Sequence, residues 1–84
     1  TWLVIDAGNS AVKWAISDRD GHRFMGTGFE SNGQADGLDA RLMGAWGGLR
    51  FRGVYATSVA DAEVTQAIER AVHACCGREV RWFG

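Results

Sequence analysis

Leu3-Val4-Ile5-Asp6-Ala7-Gly8-Asn9-Ser10-Ala11-Val12-Lys13-Trp14 sets one carboxylate, one glycine and two small polar side chains in a short link between two apolar segments, with a lysine just beyond. Such a link suits a nucleotide phosphate site. A carboxylate at a strand end holds a hydrated divalent cation, and a glycine turn lets backbone N–H groups reach phosphate oxygens with no side chain in the way. Lys13 adds a point positive charge near the same anion. The residues also admit a plainer reading, a β-hairpin with Asn9 and Ser10 in local turn hydrogen bonds and Lys13 solvated. Neither the glycine-rich dinucleotide fingerprint nor a loop ending in Gly-Lys-Ser/Thr is present, so a phosphate site at Asp6 is of another design.

Working outward, residues 2–6 read as an apolar strand and 11–17 as a second. Asp18-Arg19-Asp20-Gly21 reads as a hairpin turn into a third strand at about 22–29. Around 34–47, Leu38, Leu42, Ala45, Trp46 and Leu49 recur at helical spacing, and Gly47-Gly48 stop the helix. Gly37 and Gly44 weaken that helix by about 1 kcal/mol each relative to Ala. Gly53 to Ser58 makes a short buried strand. Asp61 then suits a helix cap, with Val64, Ala67, Ile68, Ala71, Val72 and Cys75 on one face and Gly77 as terminator. Residues 78–83 supply a last strand, in which Val80 and Trp82 alternate with Arg81 and Phe83. The order βββαβαβ predicts an α/β fold: a three-strand meander and two crossover units, forming a mixed sheet with flanking helices.

Composition narrows the function classes. With 84 residues the chain makes one small domain, which buries only about 60–65% of its unfolded surface and is marginal alone. A hydrophobic content of 46% with four Trp argues against disorder. A formal charge of −1 without a basic run makes nucleic acid a poor partner. No apolar run approaches the length of a membrane span, and no targeting signal is evident, so the cytoplasm is the default. The chain starts at Thr1 rather than Met, from which processing or excision is expected.

Cys75 and Cys76 are adjacent and lack the spacing of a zinc or redox pair, so they read as filling a helix end beside His73, with a metal site there disfavoured. His22 reads as a strand surface residue. In Val54-Tyr55-Ala56-Thr57-Ser58-Val59-Ala60, hydroxyls at a strand's carboxyl end suit hydrogen bonds to a ligand or its metal-bound water. The alternative is that Thr57 or Ser58 caps the next helix or satisfies loop backbone groups. Trp2, Trp14, Trp46 and Trp82 read as core or interface residues, because large rings in so small a domain must bury area.

Asp6-Ala7-Gly8-Asn9-Ser10-Ala11-Val12-Lys13 resembles the first phosphate motif of the actin, hexokinase and Hsp70 superfamily, in the form found in type III pantothenate kinases. Trp14-Ala15 looks like the proteobacterial branch of that family. Ser10 stands where Thr is commoner and keeps the hydroxyl. The resemblance implies the first actin-like ATPase (ribonuclease H-like) domain over residues 1–84, truncated before a second domain. It implies that Asp6 lies near the metal and the transferred phosphate, that Gly8, Asn9 and Ser10 face the ATP phosphates, and that Lys13 is the family's lysine. The small-residue strand end at Thr57-Ser58 lies toward the interdomain cleft in that family, which makes Ser58 a candidate binding residue.

The implied activity is phosphorylation of pantothenate by ATP, with Mg2+ and a monovalent cation, K+ or NH4+, in a cytoplasmic homodimer. Its catalytic base, an aspartate in a Gly-x-Asp-Arg stretch, has no counterpart among Asp18, Asp20, Asp36, Asp39 and Asp61. The 84 residues alone are therefore expected to be inactive, a phosphate-binding half-site of a larger enzyme. Two rivals stand beside this expectation: a non-catalytic regulatory or structural module of the same fold, and another small-molecule kinase of the superfamily. Asn9 next to Gly8 favours the pantothenate branch over sugar kinases, which usually carry Thr or Ser there.

Overall fold

A computed structural model describes residues 1–18, 24–31, 36–47 and 49–83. The described residues form β1 (Trp2–Ala7), β2 (Ala11–Ser17), β3 (Phe24–Ser31), α1 (Leu38–Trp46), β4 (Gly53–Ser58), α2 (Ala62–Cys76) and β5 (Val80–Phe83), in the order predicted from sequence. The strands make one sheet ordered β3-β2-β1-β4-β5. β1, β2 and β3 are an antiparallel meander, whereas β4 and β5 run parallel to β1. From β1 to β4 and from β4 to β5 the chain steps across the sheet in one direction. Right-handed crossovers then put both helices on the same face.

Alternation along the strands decides what meets those helices. Leu3, Ile5 and Ala7 of β1, Val12 of β2, and Val54 and Ala56 of β4 are buried with Leu38, Leu42 and Trp46 of α1 and with Val64, Ala67, Ile68, Ala71 and Val72 of α2. The intervening residues necessarily face the other way. That second face carries Trp2 stacked on Tyr55 at 5.4 Å and Tyr55 against Phe83 at 5.6 Å, a run of rings across β1, β4 and β5. Gly53 lies directly under the Trp2 ring and Gly28 under the Trp14 ring, where a Cβ would collide with the indole.

The sequence-derived boundaries need several corrections. β1 runs one residue farther, through Ala7, and β3 spans Phe24–Ser31 rather than 22–29. The turn expected at 18–21 lies outside the described residues beyond Asp18, and so does His22. α1 is shorter than the 34–47 pattern, with its buried stripe at Leu38, Leu42 and Trp46. Ala45 is exposed off that stripe, and Leu49 lies past the helix with 39% of its surface exposed. Gly37 is not a weak point inside α1, because it precedes the helix at φ 77°, a left-handed conformation that suits glycine. Asp61 does occupy the position before α2, but its side chain makes no cap hydrogen bond. Its carbonyl takes the N–H groups of Val64 and Thr65 instead. Gly77 ends α2 as expected, at φ 65° with its N–H donated to the His73 carbonyl.

Trp46 is fully buried and meets Trp14 edge to face at 5.5 Å. Trp14 and Trp82 are half-buried against the same core, while Trp2 packs on the far face of the sheet.

A candidate phosphate site at the ends of two parallel strands

The burial of Ala7 and the alternation of β1 leave Asp6 exposed on the face away from the helices. Immediately beyond, the Gly8 N–H donates to the Ala11 carbonyl at 2.9 Å and closes a tight turn into β2. Asn9 and Ser10 stand exposed at its tip, so the turn presents small polar side chains and a glycine backbone next to a carboxylate. β2 returns antiparallel with Lys13 directly across from Asp6. The Lys13 side chain is exposed, and among the described residues it has no ion-pair partner. Asp6, Gly8, Asn9, Ser10 and Lys13 thus stand together where β1 turns into β2.

On the other flank, Thr57 of β4 is the register partner of Asp6, and its hydroxyl lies 3.5 Å from an Asp6 carboxylate oxygen. The Val59 N–H donates to the Ala7 carbonyl at 2.9 Å, carrying the attachment of β4 to β1 one step past their last paired residues. Lys13, Asp6 and Thr57 therefore form one row across β2, β1 and β4. Ser58 is not in that row. It pairs with Ala7, one step around the strand alternation, and its hydroxyl accepts the Ala60 N–H at 3.0 Å. Of the two hydroxyls in this stretch, the one beside the carboxylate is Thr57, and the parity of β4 relative to Asp6 is the signal that distinguishes them.

The row borders an open concavity of about 730 Å³ on the helix-free face, lined by Val4, Asp6, Lys13, Thr27 and Phe29 among others. Its walls are mostly apolar, with the charged groups gathered at the Asp6 end. Among the described residues no three of His, Cys, Asp and Glu converge as a metal cage. The donor set at Asp6 is one exposed carboxylate with hydroxyl neighbours, all hard oxygens. That set fits Mg2+, which keeps several waters and binds through one or two carboxylates together with substrate phosphates.

The cysteines stand apart from this site. Cys75 points toward the Met43 carbonyl and Cys76 toward the Val72 carbonyl, at 4.0 and 3.2 Å, and both are free thiols. Burial, with the neighbouring Cys76 second, pushes the Cys75 thiol up from its ordinary value, which disfavours the reactive thiolate.

A mixed sheet ordered β3-β2-β1-β4-β5, with a carboxylate at the end of its first strand and a tight turn into an antiparallel neighbour, is the arrangement of an actin-like ATPase domain. The family described as type III pantothenate kinase matches residues 2–84, and the chain belongs to that family. It is 35% identical over 83 residues to the type III pantothenate kinase of Herminiimonas arsenicoxydans, an alignment covering 96% of this chain and 32% of that protein. The type III pantothenate kinase of Chromobacterium violaceum is 40% identical over 70 residues, covering 83% and 27%. That of Janthinobacterium sp. is 34% identical over 85 residues, covering 96% and 33%. The chain spans about a third of the length of these curated relatives.

Proposed function

We propose that the protein transfers the γ-phosphoryl group of ATP to the primary hydroxyl of pantothenate, giving 4′-phosphopantothenate in the first step toward coenzyme A, and that this chain supplies the phosphate-binding half of the site. The observation that carries this reading is the exposed Asp6 carboxylate, held beside the Gly8 to Ser10 turn with Lys13 across from it, in a chain that matches the kinase family over residues 2–84.

Phosphoryl transfer asks the protein mainly to position the reactants and to neutralise charge. The turn suits the polyphosphate, because Gly8 lets the backbone approach closely and Asn9 and Ser10 add polar side chains at its tip. Lys13 contributes positive charge on the same face of the sheet. Asp6 would hold the cation, and Mg2+, when bound, would offset the charge on the phosphate oxygens. In this reading the base that orients the pantothenate hydroxyl, an aspartate of a Gly-x-Asp-Arg stretch, and the wall that encloses it are supplied by the rest of the complete enzyme. Residues 1–84 are the first actin-like domain in this reading. A monovalent cation, K+ or NH4+, a homodimeric assembly and a cytoplasmic location complete the proposal. No helix among the described residues is long and apolar enough to cross a membrane.

The experiment is an incubation of the complete natural protein with ATP, Mg2+, K+ and labelled pantothenate. Formation of 4′-phosphopantothenate that depends on Asp6 is the expected result. A complete protein that binds ATP without producing it would instead be a regulatory module of the same fold. Phosphorylation of a different small alcohol would keep the reaction class and replace the substrate.

A further inference from the structure

We propose that Thr57 is a positioning residue for the Asp6 carboxylate: its hydroxyl engages one carboxylate oxygen and so holds the other for the hydrated divalent cation that accompanies the nucleotide. The proposal rests on the phosphate-site reading of Asp6 and assigns a role to a residue on a different strand, 51 positions away in sequence.

The geometry supports it in three ways. First, Asp6 and Thr57 are register partners in a parallel pair, so their side chains leave the same face of the sheet as neighbours. Their oxygens are 3.5 Å apart, longer than the roughly 2.5–3.0 Å of a well-formed O–H···O hydrogen bond but with no atom needed to bridge them. Both side chains are exposed. Second, the backbone that carries Thr57 is fixed. The Val59 N–H bonds to the Ala7 carbonyl on one side of it, and the Ser58 hydroxyl accepts the Ala60 N–H. A β-branched side chain on such a backbone has little freedom at χ1, so its hydroxyl is pre-placed. Third, the competing partners are accounted for. Among the described residues Lys13 makes no ion pair with Asp6, and Ser58 faces the other way with its hydroxyl engaged in the loop. A carboxylate with one oxygen engaged loses little further freedom when the other takes a cation, which is how groups behind a metal ligand raise affinity.

The test uses the complete natural protein and Mn2+ as the probe, with ATP present and free Mn2+ read by electron paramagnetic resonance. Thr57→Val keeps the shape and removes the O–H, and Thr57→Ser keeps the O–H. The expected result is that Thr57→Val weakens Mn2+ binding about tenfold, the low end of what such groups contribute, whereas Thr57→Ser stays within about twofold of the parent. The Mg2+ concentration giving half-maximal turnover should rise in parallel, with the KM for pantothenate unchanged. Thr57→Val binding Mn2+ like the parent overturns the proposal, and so does Thr57→Ser binding as weakly as Thr57→Val. Asp6→Asn separates the two levels of inference. If it weakens Mn2+ binding while Thr57→Val does not, Thr57 alone loses its role, and if it has no effect the phosphate-site reading falls with it. Thermal unfolding of each variant accompanies the titration; a fall in Mn2+ binding by Thr57→Val that is matched by partial unfolding and absent in the folded fraction also overturns the proposal.

Discussion

Arg70 of α2 donates from Nε to a carboxylate oxygen of Asp39 on α1 at 3.2 Å, tying the two helices together at their exposed rim. The same carboxylate accepts the Ala40 N–H at 2.9 Å in the first turn of α1. The hydrogen bond from Arg70 is the larger cause, and the Ala40 N–H the next, of an Asp39 carboxyl held below its ordinary value.

A carboxyl with a folded-state pKa below its unfolded one adds stability that is present above the unfolded pKa and disappears as pH falls through the folded pKa. The helix contact should therefore be complete at neutral pH and lost on acidification below the usual carboxylate range. Denaturant unfolding followed from pH 7 to pH 3 should show a shallower loss of stability in Asp39→Asn than in the parent. Arg70→Gln should show the same shallowing. The effect should be small, because the pair is solvent-exposed, and it should shrink further in high salt. Parallel pH profiles for parent and Asp39→Asn would remove this pair from the acid response.

The Asp6 row makes a kinetic prediction. In the complete protein, Asp6→Asn should lower kcat by two orders of magnitude or so while changing ATP affinity much less, because the lost charge acts on the transferring phosphoryl group rather than on ground-state binding. Lys13→Ala should raise the KM for ATP and lower kcat, since its amine has no ion-pair partner among the described residues and faces the same site. Steady-state kinetics at saturating Mg2+ measure both. Near-normal turnover in Asp6→Asn would take the carboxylate out of the mechanism, and a Lys13→Ala change confined to protein yield would make Lys13 structural.

How much of this was legible in the sequence depends on which kind of signal each residue carries. β1 reads as a strand because residues 2–6 are a short, mostly apolar run, but Val4 is as apolar as Leu3 and Ile5, so the face that carries Asp6 is fixed only by the burial of Leu3, Ile5 and Ala7. α2 reads cleanly, since five apolar residues repeat at helical spacing and Gly77 supplies the left-handed stop. α1 is harder. Its pattern continues into Ala45 and Leu49, which are apolar but exposed, so hydrophobicity overstates the helix that packing actually stops at Trp46. The site is legible where it is local in sequence, from Asp6 to Lys13. Its Thr57 flank depends on the register of a parallel strand pair, which is set by tertiary packing. Ser58 is an equally plausible hydroxyl until that register is known.

The core makes a stability prediction that is independent of function. Trp46 is the largest fully buried side chain, filling the space between α1, α2 and the Trp14 edge. Replacing it with Ala should cost about 3–5 kcal/mol, the range for deleting a buried large aromatic. In so small a domain that is enough to unfold most of the population. Trp46→Phe should retain a cooperative transition at a lower midpoint. Circular dichroism melts of the two variants check this, and a Trp46→Ala protein that melts like the parent would show that the indole lies at a looser site than its burial implies.

The helix-free face makes the last prediction. Val4, Phe29 and Phe83 are 43%, 70% and 57% exposed there, flanking the stacked rings of Trp2 and Tyr55. Apolar side chains spread over a sheet face that no helix among the described residues covers favour association with any surface that removes them from water. A protein consisting of these 84 residues alone should therefore be weakly stable or self-associated, with an apparent mass in sedimentation that rises with concentration. Phe29→Lys and Phe83→Lys should each shift that dependence toward monomer, and the pair together more than either alone, because each places a charge on the apolar face without disturbing the buried side. Secondary structure by circular dichroism should be unchanged, as neither ring belongs to the core between the sheet and the helices. A monomer at every concentration, with a sharp transition at high temperature, would mean that the face is adequately solvated as it stands.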